Sequence, residues 1–283
     1  MSVKTDLHFG NCLDVMAALP EDCVDMVFCD LPYGVTACTW DAVIPFDKLW
    51  AAYARVVKER GAIVLTATQP FSSALVMSKP KWFRHEWVWD KVGCAGFQLA
   101  KYRPMQQHEH ILVFGQESPG YWPIMDKHDE PLMSGKHTPS AVSPIAHDDG
   151  LPRAHYYKYP RSILTGGDFI RVSKKMGANF HPSEKPIELL AYLIQTYSRP
   201  GMTVLDNTMG SGSTGVACVD ENRNFIGIEM DLDYLGVATE RIEAEKASDR
   251  AGVGFTFGTD SDGLLISEIV PVKESQQPGF DLG

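Results

Sequence analysis

Short apolar runs alternate with stretches of helical spacing through most of the chain. Residues 24–29 form a dense apolar run ending at Asp30, the pattern of a buried strand, and residues 61–66, 85–89 and 110–114 repeat it. Residues 45–58 place apolar side chains at helical intervals, and residues 70–77 suit a second helix. The rhythm then stops. Residues 115–179 are rich in Pro, Gly, His and Tyr and show little periodicity. A structureless loop of that length is improbable inside a compact domain, so the segment reads as an irregular inserted module.

Regularity returns at Pro186, a natural first helical residue, with Leu189, Leu190, Leu193 and Ile194 on one stripe. A strand over 202–205, a Gly-rich turn, a helix over 213–219, a strand over 225–229 and a helix over 232–244 follow. The alternation predicts an α/β fold: a mostly parallel sheet with helices on both faces. After residue 247 the chain turns to Gly, Asp and Ser. Residues 264–272 suit one edge strand, and the last ten residues are expected to be disordered.

Composition narrows the class. Hydrophobic residues make up 44% and charged residues 22% of the 283, ordinary for a globular protein. No apolar run approaches the roughly 18 residues that span a membrane. Residues 1–10 lack the basic start and apolar stretch of a signal peptide, so cytoplasmic residence without a membrane partner is expected. Cysteines at 12, 23, 29, 38, 94 and 218 form no CxxC pair and read as reduced thiols. The nine histidines show no ligand spacing, so no metal is expected. His108 and His110 flank Glu109 in a strand-like run and read as hydrogen-bonded structural residues.

The net charge of −10 is unevenly spread. Fifteen acidic and five basic residues lie between Asp206 and Gly283, leaving the first 205 residues neutral. Two stretches are locally basic, residues 79–103 and 153–185, and either is a candidate phosphate-binding surface or a solvated face. The second contains Arg153, Lys158, Arg161, Arg171, Lys174 and Lys175.

Two constellations carry chemistry. In the first, the strand before Asp206 leads through Asn207, Thr208, Met209, Gly210, Ser211 and Gly212 into a helix. Close glycines at a strand–helix junction let backbone N–H groups approach a ligand near a helix N-terminus. Eighteen residues after Ser211, a strand ends in Glu229, an acid placed to accept hydrogen bonds from both hydroxyls of a ribose. Together they indicate an adenosine-containing cofactor. In the second, Asp30, Leu31, Pro32 and Tyr33 follow a buried strand. Asp30 offers a carboxylate acceptor, Leu31 a carbonyl and Tyr33 a stacking face, while Pro32 fixes the turn. Two acceptors beside a ring suit an exocyclic amino group of a base, although a plain strand–turn signal fits these four residues in isolation.

Residues 30–33 resemble the (Asp/Asn/Ser)-Pro-Pro-(Tyr/Phe/Trp) motif of DNA amino-methyltransferases of bacterial or phage type. Residues 206–214 resemble their DPFxGSGT loop, and residues 181–186 (His-Pro-Ser-Glu-Lys-Pro) their HPTQKP box. Residues 159–164 and 108–114 are also similar to family segments, and the order, catalytic motif first and cofactor loop late, is that of the β group. The resemblance implies a Rossmann-like methyltransferase sheet. It assigns residues 1–114 to a catalytic half, 115–179 to target recognition, 180–247 to a cofactor-binding half and 248–283 to an acidic C-terminal extension. It implies S-adenosylmethionine as cofactor and double-stranded DNA as substrate. Asn11 and Cys12 fall on the adenine-reading segment, Lys185 beside the cofactor loop, and Met230 next to the ribose acid Glu229. Departures are Leu31 for the first Pro, Asn11 for an Asp, and Asn207-Thr208 for Pro-Phe, which removes an apolar wall.

The implied reaction is in-line attack of an amino nitrogen on the sulfonium methyl, with the target base flipped out of the duplex. The Asp-first motif favours adenine N6 over cytosine N4. Tyr156, Tyr157 and Tyr159 are DNA contacts or an aromatic satellite core. The resemblance is compatible with a monomer or a homodimer and with a separate cognate restriction endonuclease. Protein- or RNA-directed methyltransferases with a similar box place the cofactor loop first. A cofactor-binding subunit without catalysis is disfavoured by the intact Asp30, Tyr33, Gly210, Gly212 and Glu229.

Overall fold

The computed structural model of the chain describes residues 3–34, 41–133, 154–165 and 184–249, with two short strands at 258–259 and 265–266. Two compact units separate, one of residues 1–122 with 161–254 and one of residues 123–160 with 255–283. The strands in chain order are β1 (Thr5–Phe9), β2 (Val24–Asp30), β3 (Val57–Ala67), β4 (Phe83–Ala95), β5 (Gln106–Phe114), β6 (Asp126–Met133), β7 (Ala154–Lys158), β8 (Ile163–Thr165), β9 (Thr203–Asp206), β10 (Asn224–Glu229), β11 (Gly258–Thr259) and β12 (Leu265–Ile266). The larger unit carries an eight-stranded sheet in the order β1-β10-β9-β2-β3-β5-β4-β8. Neighbours from β1 to β3 run parallel, as do β4 and β8, while β5 is antiparallel to both β3 and β4. The sheet is therefore mostly parallel, as the alternation of elements predicts.

Helices cover both faces. On one, α1 (Cys12–Ala18), α2 (Phe46–Val56) and α3 (Phe71–Ser78) bury Met16, Tyr53 and Leu75 against Val27, Cys29, Ile63, Leu65 and Leu112. On the other, α4 (Ile187–Tyr197), α5 (Ser213–Asp220) and α6 (Leu232–Asp249) bury Leu190, Ala217 and Ile242 in the cluster of Met26, Phe28, Val64, Ile111 and Val204. Strand side chains alternate between the two clusters with period two, and each buried Leu or Ile contributes about 1.5–3 kcal/mol. No helix among the described residues is long and apolar enough to cross a membrane.

Alternation has a consequence at the carboxyl ends of the strands. Met26 and Phe28 face α4, so Asp30 continues their row; Ala62 and Val64 do the same for Thr66, Val204 for Asp206, and Phe225 for Glu229. On β5 the row of Ile111 and Val113 begins with Glu109, and on β4 the row of Trp87 and Trp89 continues to Lys91. One face of the sheet thus ends in a line of polar side chains spread over five adjoining strands and β4 at their edge. The α4–α6 layer covers that face.

Three features differ from the sequence reading. β1 and α1 were not anticipated, because β1 alternates half-buried and exposed positions and α1 is only seven residues long, capped by Asn11. The inserted segment is less irregular than its composition suggests: β6 and β7 pair as an antiparallel hairpin, and β8 joins the main sheet beside β4. Polar β6 (DKHDEPLM) has no periodicity to detect, and backbone pairing alone defines it. Within the smaller unit β11 and β12 also pair antiparallel. The expected edge strand over 264–272 is present at Leu265–Ile266, and its remainder and the last ten residues lie outside the described residues.

Candidate active site

The strand order reverses direction between β9 and β2, since the chain proceeds from β2 outward to β3 and from β9 outward to β10. In open α/β sheets ligands collect in the crevice beyond the strand ends at such a switch point. Here a cavity of about 470 Å³ opens, and Asn11, Asp30, Tyr33, Lys185, Thr208, Ser211, Glu229 and Met230 all line it. Two loops meet across the switch point. The Thr208 hydroxyl donates to the Asp30 backbone carbonyl at 3.0 Å and lies 2.9 Å from the Cys29 sulfur. Burial holds the Cys29 thiol well above its ordinary value, so it stays protonated and donates to Thr208. The Asn-Thr departure from the family's Pro-Phe therefore joins the two loops by hydrogen bonds. Asn207 adds a third anchor, accepting from the buried Tyr53 hydroxyl at 2.6 Å.

Asp30 is the best-supported side chain of the site. Its Oδ1 accepts from the hydroxyls of Tyr33, at 2.5 Å, and of Thr66, while its Oδ2 accepts from Lys185 Nζ at 2.5 Å. Burial alone would raise the carboxyl, but the Lys185 ammonium and these hydrogen bonds outweigh it and hold Asp30 below the ordinary carboxylate range. Lys185 in turn lies 3.5 Å from Glu109 Oε2, and Glu109 pairs with Lys91. Burial would depress the Lys185 ammonium, yet Asp30 and Glu109 keep it raised. An ionised carboxylate has about four lone-pair directions, and three are taken here, so Asp30 retains room for one more donor. The Tyr33 ring packs at 5.0 Å from Phe71, which fixes its plane beside the carboxylate.

The glycine-rich loop is held from both sides. Gly212 has φ +80 and caps α5; a Cβ there would stand 2.8 Å from the Ala238 side chain. Gly210 N–H donates to Glu229 Oε2 at 2.8 Å, and Glu229 Oε1 accepts from the backbone of Met230 and Asp231. Glu229 is therefore a loop anchor as well as a ribose acceptor candidate, with about one lone-pair direction left. Arg241 of α6 donates to the Ser211 carbonyl at 2.8 Å and to Glu184 at 2.6 Å, tying the loop to the segment that carries Lys185. Burial pushes the Asp206 carboxyl up to about 7, against the hydrogen bonds from Thr214 and the Thr208 backbone. Asn11 spends its Oδ1 on the Leu13 N–H as the cap of α1, and Cys12 is the first residue of that helix. Ile228, Met230 and Tyr234 supply apolar lining of the cavity.

Other sequence candidates divide. Leu31 is buried in the α1–α3 core and Pro32 lines the cavity. Lys158 and Arg161 are exposed; Arg153, Arg171, Lys174 and Lys175, like His181 of the box, lie outside the described residues. Tyr156 and Tyr159 are 51% and 68% exposed, while Tyr157 between them is half-buried. In the first basic stretch Arg84 donates to the carbonyls of Gly115 and Gln116, so its charge is spent on a turn. His110 pairs with Glu86 and stacks edge-on to His108, a structural arrangement. Sequence reasoning missed Thr66, Glu109 and Arg241. Glu109 had a signal: the alternation that puts His108 and His110 on one face puts Glu109 on the other, under the segment carrying Lys185.

A family model described as DNA methylase, for N6 and N4 modification, matches residues 24–240. The DNA adenine methyltransferase YhdJ of Escherichia coli (strain K12) is 29% identical over 254 residues, covering 85% of this chain and 83% of that protein. Among solved structures, the SAM complex of M1.HpyAVI superimposes with a TM-score of 0.54 at 19% identity, over 84% of this chain and 98% of that one. The cytosine-N4-specific PvuII DNA methyltransferase gives 0.56 at 15% identity, over 90% and 95%. These two likenesses concern the fold. The loop order, the switch-point cavity and the match over most of the chain converge: the chain belongs to the family of N6/N4 DNA methylases, S-adenosylmethionine-dependent enzymes that modify exocyclic amino groups of DNA bases.

Proposed function

We propose that this chain methylates the N6 amino group of adenine in duplex DNA, acting on a base flipped into the cavity beside Asp30. The observation that carries the reading is Asp30 itself: ionised, at the lip of a strand, with an acceptor direction left and the Tyr33 ring alongside. The first Asp of the motif and the 29% identity to an adenine enzyme support adenine over cytosine.

The cavity fits S-adenosylmethionine, since Gly210 (φ +52) and Ser211 bring backbone to its wall without bulk and Glu229 lines it with acceptor capacity. Glu229 and Met230 would hold the nucleoside end, and the 206–212 loop with Lys185 nearby the amino-acid end. When bound, the cofactor supplies an electrophilic methyl group. Asp30 and the Leu31 carbonyl accept from the amino N–H groups of the base and draw its nitrogen lone pair out of conjugation. Tyr33 stacks on the base, a contact of ~1–3 kcal/mol. Positioning and fixed dipoles provide the acceleration, because Asp30 is too weak a base to remove a proton beforehand. Residues 115–179, with Lys158, Arg161, Tyr156 and Tyr159 exposed, read the target sequence.

Transfer of labelled methyl groups to unmodified duplex DNA, followed by nucleoside analysis, tests the proposal. N6-methyladenine is expected. N4-methylcytosine would replace adenine by cytosine, and labelling of RNA or protein without DNA would overturn the reading.

A further inference from the structure

Flipping a base leaves a gap in the stack, and the cost of unstacking, a few kcal/mol, falls when a side chain fills it. The β4–β5 pairing continues beyond the sheet. β3 pairs with β5 only as far as Ala67↔His110, and β8 pairs with β4 only as far as Asp90. Residues 91–107 therefore form an arm past the carboxyl edge of the sheet, the edge at which Asp30 lies, joined by the single strand pair Ala95↔Gln106 after a register shift. Its root is Lys91 paired with Glu109, the same Glu109 that holds Lys185 beside Asp30. The root of the arm is thus linked through Lys185 to Asp30, which lines the cavity.

Its tip is ordered and uncovered. Gly96, at φ +87, turns the chain into a 3-10 turn over Phe97–Leu99, and Leu99 accepts from the N–H groups of Tyr102 and Arg103 at 2.9 and 3.0 Å. Gln107 donates to Asp90 at 2.9 Å across the stem. Yet Phe97 is 80% and Tyr102 86% exposed. A fixed turn that leaves two large rings in water, when each buries about 150–250 Å² elsewhere in proteins, is shaped for a partner. Charge identifies the partner. Between Lys91 and Met105 there is no acidic residue, and Lys101 and Arg103 are exposed with no ion pair among the described residues. From Lys91 the chain can extend about 20 Å to Phe97, more than the ~8.5 Å depth of the major groove.

The geometry points to the 91–107 arm as a duplex-DNA wedge: Phe97 enters the gap left by the extruded nucleotide, and Lys101 and Arg103 pair with flanking phosphates. Phe97 has no polar atom to keep it in water, whereas Tyr102 retains a hydroxyl for the backbone or a base edge. This inference rests on the base-flipping reading above.

The test uses the full chain and a duplex carrying a site that the wild-type protein methylates. Phe97→Ala should slow methylation of the matched duplex about 10- to 100-fold, in line with the unstacking cost, and should recover most of that loss when the target base faces an abasic site. Phe97→Trp should stay near wild type. Lys101→Ala with Arg103→Ala should flatten the salt dependence of DNA affinity by about two phosphate contacts, close to 1.8 in the log–log slope. Cofactor affinity, read by calorimetry, should be unchanged in all three, which excludes misfolding. An unaltered rate for Phe97→Ala, or an equal loss on matched and abasic duplexes, would overturn the wedge. An unchanged salt slope would remove the phosphate contacts. Failure of the wild-type protein to methylate any DNA would instead sink the function on which the wedge depends.

Discussion

Lys185 Nζ stands 2.5 Å from Asp30 Oδ2 and 3.5 Å from Glu109 Oε2, so one ammonium is shared between the acceptor of the site and a buried acid two strands away. The relationship fixes the protonation of Asp30. Burial pushes that carboxyl upward, and the ammonium reverses the shift. In the wild type, Asp30 is therefore ionised at every pH above the ordinary carboxylate range and contributes no acid limb to the rate.

Replacing Lys185 by Met should reverse this. With only the Tyr33 and Thr66 hydroxyls left to oppose burial, the Asp30 carboxyl should move upward, and activity should fall about tenfold per pH unit below its new value while recovering at higher pH. Glu109→Gln, which removes an anion competing for the same ammonium, should leave Asp30 ionised and the profile parallel to the wild type. A Lys185→Met profile parallel to the wild type between pH 5.5 and 8.5 would mean that the ammonium acts otherwise.

Thr208→Val removes the hydroxyl that joins the cofactor loop to the Asp30 carbonyl while keeping side-chain shape. One neutral hydrogen bond is worth about 1 kcal/mol, so kcat/KM should drop about fivefold. The loss should appear in kcat more than in cofactor affinity. Single-turnover kinetics with saturating cofactor separates the two.

Arg241→Met cuts the link from α6 to Ser211 and Glu184. The cofactor loop then loses its outer tether, and the expected result is weaker cofactor binding with little change in the rate at saturation. Because Arg241 is largely buried beside an acid, melting temperature should fall too, as the Arg241–Glu184 ion pair is lost. Isothermal titration and thermal denaturation of the same sample test both parts.

Asp206 yields a pH signature of stability. Its folded value of about 7 lies above the ordinary 3.8, so between those limits the native state holds a proton that the unfolded chain has released. Stability from this group is full at the acid end and is lost as pH rises to 7. Asp206→Asn cannot ionise, so it should gain in melting temperature over wild type at pH 8 and lose that gain at pH 5. Glu221, also pushed to about 7 by burial, is present in both proteins and cancels. A difference independent of pH would show that Asp206 is not titrating there.

Elements whose signal is local were legible along the chain. Dense apolar runs announced β2, β3 and β10, glycines at strand–helix junctions located the cofactor loop, and Asp30 to Tyr33 marked the lip of a strand. These follow from backbone sterics and period-two burial, which act within a few residues. Partnerships across the sheet were decided only by tertiary structure. Thr66, Glu109 and Lys91 belong to β3, β5 and β4, and nothing in their local sequence states that these strands lie in adjoining positions next to β2. Arg241 reaches Ser211 over thirty residues because α5 and α6 pack on the same face. The polar hairpin β6–β7 escaped detection for a related reason: its order comes from a backbone ladder between distant segments, which leaves no hydrophobic imprint on either. Asp30 was legible as a carboxylate after a strand; that it is a carboxylate kept charged by Lys185 needed the strand order and the layer above it, since electrostatics depends on distance in space.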